Sequence, residues 1–522
     1  MSRVIVTLAS QHRRPDMLDC VCGEDAMHIT EQKLEAEKGQ LLSEILMQHD
    51  IHIDTPCAGR GVCKKCTVVV NGIECLACQT RVDEDMYVEF EGSAELENIA
   101  VAVNTEAGDY KNTKTTADKM NPVPDNKNQM YSHYGIAADL GTTTICMSLM
   151  TSGGRIDTVS RKNPQTRFGA DVINRIQKYM EGEALDECVR AEIAEMILEL
   201  CQKNDILLKS VDAMVITGNT AMLYLLAGQN PEALSHAPFT ADRLFGEYLK
   251  TENLGFPLKN DTEIYLPRCV SAFVGGDTMT AVTASGMCMQ DDTALLVDIG
   301  TNGEIALYRD NNLVCCSTAA GPAFEGAGIS CGVYGIKGAI DHVWQENQKV
   351  CYSTIGNIPP VGICGSGIID AVAVMLERGI IDETGAFTED EDFYPIHNNI
   401  GITAQDVRQI QLAKSAVRAG IETLLDITEK SAEDIKVFYI AGGFGSFVNL
   451  KNAAQIGLIP SRLLHCAKTI GNAAHSGAEM LLQNRNFAEL SYKMALEAET
   501  IALDANPVFA EHYMTYMMFE QE

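Results

Sequence analysis

Twice in this chain an apolar run ends in Asp-x-Gly-Thr and turns straight back into a second apolar run: YGIAADLGTTTICMSLM over 134–150 and ALLVDIGTNGEIALY over 294–308. A third run, VFYIAGGFGSFVNL over 437–450, breaks into Gly-Gly-x-Gly. Glycine at such a turn lets the backbone approach phosphate oxygens. Threonine hydroxyls and leftover N–H groups donate to them, and an aspartate at the strand end can hold hydrated Mg²⁺. One such turn is an ordinary hairpin. Two of them about 160 residues apart, each between apolar strands, point to duplicated halves that face each other and grip one polyphosphate.

From Tyr134 onward, short apolar strands alternate with longer helical stretches, the pattern of an α/β domain. Residues 93–133 are polar with two prolines and read as a linker. The 522 residues predict about three folding units at roughly 150 residues each. With 46% hydrophobic and 21% charged residues the chain can build a sizeable core, which excludes wholesale disorder. Forty Lys and Arg against 71 Asp and Glu leave a net charge of −31, which disfavours nucleic acid and anionic lipid as partners. No apolar run approaches the ~20 residues of a membrane span, and the N-terminus has no apolar signal core, so a cytoplasmic protein is expected. Eighteen cysteines in that setting point to metal or redox chemistry before disulfides.

The cysteines are densest in TPCAGRGVCKKCTVVVNGIECLACQTRV, residues 55–82. Cys57, Cys63 and Cys66 are separated by five and two residues, and Cys75 and Cys78 follow. Closely spaced thiolates on a loop containing Gly59 and Gly61 can surround an iron-sulfur cluster and point amide N–H groups at its sulfurs. The alternatives are a zinc knuckle or buried thiols, although a zinc site usually repeats the Cys-x2-Cys pair that this loop shows once. VIVTL (4–8), TVVVNG (67–72) and MYVEFEG (86–92) read as strands, and LLSEILMQHDI (41–51) places Leu41, Leu42, Ile45 and Leu46 on one helical stripe.

With these flanks, residues 1–92 resemble a plant-type 2Fe-2S ferredoxin domain, a β-grasp fold of the α+β class. The resemblance implies Cys57, Cys63, Cys66 and Cys78 as the cluster ligands, with Cys75 a spare. The chain departs from that pattern in its five-residue first gap and in the eleven residues between Cys66 and Cys78, a shortening that implies a lost hairpin. Cys20 and Cys22 fall in an apparent insertion (19–28) and read as spectator thiols.

Residues 134–522 resemble the actin, heat-shock chaperone and sugar-kinase ATPase superfamily, ASKHA, a bilobal body. Its lobes would span approximately 134–290 and 291–470, with C-terminal helices over 471–522 that include GNAAHSGAEMLL. The resemblance implies ATP and Mg²⁺ as ligands. Asp139 with Gly141, Thr142, Thr143 and Thr144 would form the first phosphate loop, and Asp298 with Gly300, Thr301 and Asn302 the second. Gly442, Gly443 and Gly445 would pack against adenosine. Asp277, in SAFVGGDTMTAV, matches the sugar-kinase aspartate that orients the attacking water or hydroxyl; the alternative is a helix-capping role. AGPAFEGAGISCG (320–332) is either a mobile loop that faces a partner or gates the nucleotide, or a plain turn-rich connection.

ITGNTAMLYLLAG, VDIGTNGEIAL, CSTAAGPAFEGAGISCGVYGIKGAI and VGICGSGIIDAV narrow the resemblance to reductive activators of corrinoid proteins, and the likeness spans nearly the whole chain. Longer relatives carry an extra small domain where this chain has about forty residues. The resemblance implies a corrinoid protein of a methyltransferase system as partner, a low-potential electron donor of unknown identity, and a homodimer. A corrinoid methyl carrier needs Co(I), and one-electron loss strands it as Co(II). A plant-type centre near ~−400 mV cannot drive the return far. Each ~59 mV uphill costs about 1.4 kcal/mol, so ATP must favour the reducible state. Three other readings stay open: a sugar-kinase-like phosphotransferase with a redox-sensing appendage, an electron-transfer and binding module whose ATPase half only senses nucleotide, and an ATP-gated electron carrier to a non-corrinoid enzyme.

Overall fold

The computed structural model describes residues 2–10, 28–36, 38–49, 61, 66–83, 85–91, 129–347, 349–443 and 447–519. The chain divides into two compact units, one of residues 1–97 with the short segment 166–170, the other the rest.

In the first unit the described residues form β1 (Ser2–Ser10), β2 (His28–Ala36), α1 (Leu42–Gln48), β3 (Thr67–Val70), β4 (Ile73–Leu76) and β5 (Met86–Glu91). The strands make one sheet in the order β2-β1-β5-β3-β4, with β1 parallel to β5 and antiparallel to β2, as a β-grasp fold requires. Leu42, Ile45 and Leu46 of α1 are fully buried against Leu34, Val68 and Val88. Leu41 lies just outside the helix, in a bridge with Arg81, so the apolar stripe is one residue shorter than the sequence pattern. The pattern also gave no sign of β2. This strand lies at the sheet edge and HITEQKLEA is largely polar, so it lacks an apolar run. Asn71 and Gly72, both at positive φ, close the β3–β4 hairpin.

The larger unit opens with β6 (Tyr134–Leu140), β7 (Thr144–Thr151) and β8 (Gly154–Lys162). Then come α2 (Val172–Met180), α3 (Leu185–Lys203), β9 (Val211–Gly218), α4 (Thr220–Ala227), β10 (Glu247–Lys250), α5 (Thr251–Leu254), β11 (Glu263–Leu266) and α6 (Gly276–Ser285). Its second half begins with β12 (Ala294–Ile299), β13 (Gly303–Arg309) and β14 (Asn312–Thr318). It continues through β15 (Ala339–Glu346), β16 (Lys349–Thr354), β17 (Gly362–Ile363), α7 (Gly365–Glu377), β18 (Phe393–His397), β19 (Ile400–Thr403) and α8 (Ala404–Ile427). The last elements are β20 (Val437–Ala441), α9 (Leu450–Gln455), β21 (Ala467–Gly471), α10 (Ala473–Gln483), α11 (Arg485–Glu497), β22 (Glu499–Thr500) and α12 (Pro507–Thr515).

Two sheets repeat one plan. In the order β10-β11-β9-β6-β7-β8, three consecutive strands form a meander and β9 adds in parallel beside β6. In the order β21-β20-β12-β13-β14-β22, β12 to β14 form the meander and β20 adds in parallel beside β12. The central strands are continuously apolar because both faces are covered. Leu295, Val297 and Ile299 of β12 join the core that holds Ile368 and Val372 of α7 and Val417 and Ile421 of α8. Leu296, on the other face, packs with Met279 and Val282 of α6.

Helix α10 carries the chain back to the first sheet. Its Ala478, Leu481 and Leu482 pack with Ala137, Ala213 and Val215, and Met130 and Tyr131 from ahead of β6 join the same core. Gly477 lets α10 sit directly on α6, since a Cβ there would lie 2.0 Å from the Thr280 carbonyl oxygen. Glu479 of α10 accepts from both Nε and Nη2 of Arg155 at 2.7 Å and from the Ser148 hydroxyl at 2.6 Å.

Candidate functional site: a nucleotide cleft and a cysteine hairpin

The two repeated turns close onto one another. In the first, the Gly141 N–H donates to the Thr144 carbonyl at 3.1 Å, and Asn163 Nδ2 donates to the Gly141 carbonyl at 2.9 Å. In the second, the Gly300 N–H donates to the Asn302 carbonyl at 2.9 Å. The hydroxyls of Thr143 and Thr301, from opposite halves of the repeat, lie 3.5 Å apart. Around them opens a cavity of about 510 Å³. Asp139, Gly141 to Thr144, Asp277, Asp298, Gly300 to Asn302, Gly442 and Gly443 all line it. Gly445 lies outside the described residues. Gly442 ends β20 at φ +122°, where any Cβ would lie 2.4 Å from the Ile299 carbonyl oxygen, so the strand end can lie this close to the second turn only as glycine.

Four helices begin at this cavity. Asn219 precedes α4 and Asn472 precedes α10. Each uses its Oδ1 to cap the helix, accepting from Met222 N and His475 N at 2.9 Å. Each turns its amide toward a turn residue: Asn219 Nδ2 donates to Thr142 Oγ1 at 3.0 Å, and Asn472 Nδ2 to Asp139 Oδ2 at 2.9 Å. Neither asparagine was expected from the sequence. The readable signal was the repeated Gly-Asn-x-Ala after a strand, Gly218 to Ala221 and Gly471 to Ala474. Helices α6 and α7 begin after Gly275 and Cys364 with no side-chain cap, and Asp277 and Ser366 of their first turns line the cavity. Helix starts of this kind favour anions. Asp277 is not the N-cap of α6. It is the second helical residue, and its Oδ1 accepts from the Thr278 N–H at 2.7 Å.

Carboxylates crowd the same space. Burial pushes Asp139 up to about 7, with Asn472 opposing and Asp277 adding to the rise. Burial and the neighbouring charges of Asp277, Asp139 and Glu325 push Asp298 up to about 8. Burial holds Asp277 at about 6, and Glu304 stands well above its usual value for the same reason, with Asp277 and Asp298 adding to it. Glu325 is also raised by burial, against the hydrogen bonds of Thr143 and Thr301. Among the described residues no lysine or arginine lines the cavity. Carboxylate, amide and hydroxyl oxygens thus give the cavity excess negative charge, although among the described residues no three acidic, histidine or cysteine side chains converge closely enough to hold a metal ion by themselves.

The segment 320–332 is anchored on both sides. Phe324 and Ile329 are buried in the second-half core, the Ser330 N–H donates to Asp406 at 2.7 Å, and a turn at Pro322–Glu325 delivers Glu325 to the cavity. Glu304 and Glu325 had no sequence signal, because their approach to the cavity depends on which way a strand and a turn face.

In the first unit, Cys57 and Cys63, like Cys20 and Cys22, lie outside the described residues. The eleven residues between Cys66 and Cys78 fold as the single tight β3–β4 hairpin. The Ala77 N–H donates to the Cys66 carbonyl at 2.9 Å, which brings Cys66 and Cys78 to the open end of that hairpin. Both are buried, and Gln79 Nε2 lies 3.9 Å from Cys78 Sγ. Cys75 lies nearer the turn of the hairpin, opposite Val68, and is half-buried. The two thiols at the hairpin end fit half of a four-cysteine cluster site. Other cysteines pack as apolar residues: Cys269 and Cys315 are fully buried, and burial pushes their thiols up to about 12.

Known proteins share this organisation. Residues 292–522 match the family described as the C-terminal domain of RACo, the ASKHA domain, and residues 134–290 match the RACo middle region. The chain is 31% identical to the corrinoid activation enzyme RamQ of Eubacterium limosum, over 94% of this chain and 98% of RamQ. It is 24% identical to the Co(II) methylated amine-specific corrinoid protein reductase of Methanosarcina barkeri, over 74% and 77% of the two chains. The solved structure of a reductive activator for corrinoid, iron-sulfur protein superposes with a TM-score of 0.69 at 26% identity, covering 99% of this chain and 98% of that one. With a duplicated body closing on one acidic cleft and a relative matched from end to end, this chain belongs to the family of ASKHA-type reductive activators of corrinoid proteins.

Proposed function

We propose that this protein reduces the Co(II) corrinoid of a methyltransferase system to Co(I) by one electron, at the expense of ATP. The observation that carries the reading is the meeting of two phosphate-type turns from opposite halves of the body, with Thr143 and Thr301 3.5 Å apart in a cavity lined by carboxylates and, among the described residues, by no lysine or arginine. The same chain bears the cysteine hairpin that a redox relay needs.

In this reading the hydroxyls and N–H groups of Thr142, Thr143, Thr144, Thr301 and Asn302 bind the phosphate chain of ATP. The carboxylates of Asp139 and Asp298 hold Mg²⁺ against it, and Asn472 fixes the orientation of Asp139. Gly442 and Gly443 leave room for adenosine. Asp277 orients the water that attacks the terminal phosphate and accepts its proton, and the Thr278 N–H keeps one oxygen of that carboxylate in place. Cys57, Cys63, Cys66 and Cys78 hold a 2Fe-2S cluster, which supplies single-electron chemistry when bound. An external low-potential donor restores the electron. Closure of the two halves on ATP favours a partner state in which Co(II) is easier to reduce.

The test is an anaerobic optical titration of the reduced protein with a Co(II) corrinoid protein from the same organism, with ATP or a non-hydrolysable analogue. The Co(I) spectrum is expected with ATP and absent without nucleotide. No Co(I) from protein with its cluster intact and ATP bound would overturn the assignment of the acceptor.

A further inference from the structure

We propose that Glu325 senses the terminal phosphate: its carboxylate competes with the γ-phosphate of ATP for the hydroxyls of Thr143 and Thr301, so that ATP displaces it and ADP does not. The inference rests on the nucleotide reading of the cleft and adds to it a means of telling the two nucleotides apart.

A single oxygen, Glu325 Oε2, accepts from Thr143 Oγ1 at 2.5 Å and from Thr301 Oγ1 at 2.8 Å. Thr143 belongs to the first turn and Thr301 to the second, so this oxygen ties the two halves of the body together at the point where the turns meet. A hydroxyl has one proton to donate, so a threonine that donates to Glu325 cannot also donate to a phosphate. Nor can two anions share the same pair of donors in a cavity that already holds Asp139, Asp277, Asp298 and Glu304. The arriving γ-phosphate must therefore expel the carboxylate. A diphosphate, one phosphoryl group shorter, leaves it in place.

The expelled group is attached to structure that can pass the change on. Glu325 ends the Pro322–Glu325 turn, directly after Phe324, which is buried in the core shared with α7 and α8. At the other end of the turn, the Gly321 N–H donates to the Thr301 carbonyl at 2.8 Å. Further along, Val333, Tyr334 and Gly335 line the same cavity. Part of the binding energy of the γ-phosphate is thus spent on moving Glu325 and its turn, so ATP binds less tightly than the cleft would allow and its occupancy is reported to the second half.

The experiment is calorimetry on the full chain with Mg²⁺ and a non-hydrolysable ATP analogue, and separately with Mg²⁺ and ADP, for the native protein and Glu325→Gln. The amide keeps the shape of the side chain and can still accept a hydrogen bond, but carries no charge. The analogue is expected to bind roughly tenfold tighter to the variant while ADP changes by less than about twofold, because a neutral amide holds the two hydroxyls less strongly than a carboxylate does. Co(I) formed per ATP hydrolysed is expected to fall. In a Thr143→Val, Thr301→Val background the gain disappears, since the contested donors are gone. Weaker binding of the analogue alone would make Glu325 a direct ligand of metal or phosphate and overturn the proposal. Equal weakening of both nucleotides would make it a structural prop and overturn it as well. If the native chain bound neither nucleotide, the reading of the cleft itself would fall first.

Discussion

The role proposed for Asp277 follows from its position. As the second residue of α6 it is held by the Thr278 N–H, and burial lifts it only to about 6, so near neutral pH it is still largely a base. Replacing it with alanine is expected to lower ATP hydrolysis by about 10² to 10⁴ while nucleotide affinity stays within a few-fold, because a general base acts in the transition state. Equal losses in both would give it a binding role. The cysteines offer a second contrast. Cys66 and Cys78 share the open end of one hairpin and are buried, whereas Cys75 is two pairs further toward the turn and half-buried. Cys78→Ser is therefore expected to abolish the visible absorbance and the iron and sulfide content of the cluster, and Cys75→Ser to leave both unchanged; the opposite pattern would reassign the fourth ligand.

At the level of elements, α10 ties the cleft to the first sheet. It is capped by Asn472 beside Asp139 and runs over the first sheet, where Arg155 and Ser148 fix Glu479 in a partly buried pair. Burial alone would push the Glu479 carboxyl up, but the Arg155 guanidinium, with His475 and Ser148, leaves it below its usual value. Glu479→Ala removes both hydrogen bonds to the half-buried Arg155 guanidinium and is expected to destabilise the body by about 1.5–3 kcal/mol. It is also expected to weaken ATP binding, because the helix that carries Asn472 loosens with it. A thermal melt read alongside nucleotide titration checks both, and a lower melting temperature with unchanged affinity would confine the pair to a structural role.

Taken whole, the body concentrates charge where ATP and metal are to bind. Burial lifts Asp139, Asp277 and Asp298 to about 7, 6 and 8, against ~3.9 for an unfolded aspartate. A carboxyl raised in the folded state stabilises fully below the unfolded value and loses that contribution as pH rises through the folded one. Stability without Mg²⁺ is thus expected to fall between about pH 4 and about pH 8. On the proposed reading Mg²⁺ with ATP would neutralise these groups and bridge the two halves, so the rise in melting temperature it causes should be larger at about pH 8 than at about pH 6. At a hundred times Kd the stabilisation is about 2.7 kcal/mol. Equal shifts at both pH values would show that the acidic cluster is not part of the binding site.

The sequence by itself determined the duplicated turns and the class of fold, because Asp-x-Gly-Thr between apolar strands leaves the backbone few alternatives. What only the tertiary structure decided is what joins them. Asn219, Asn472, Glu304 and Glu325 come from four separate elements, and their approach to the cavity depends on strand facing, helix starts and the return of α10. The edge strand β2 stayed illegible for a related reason: its pairing partner β1, rather than any apolar pattern of its own, makes it a strand. Local chemistry is written along the chain, whereas convergence of distant residues is set by packing, which a linear pattern does not record.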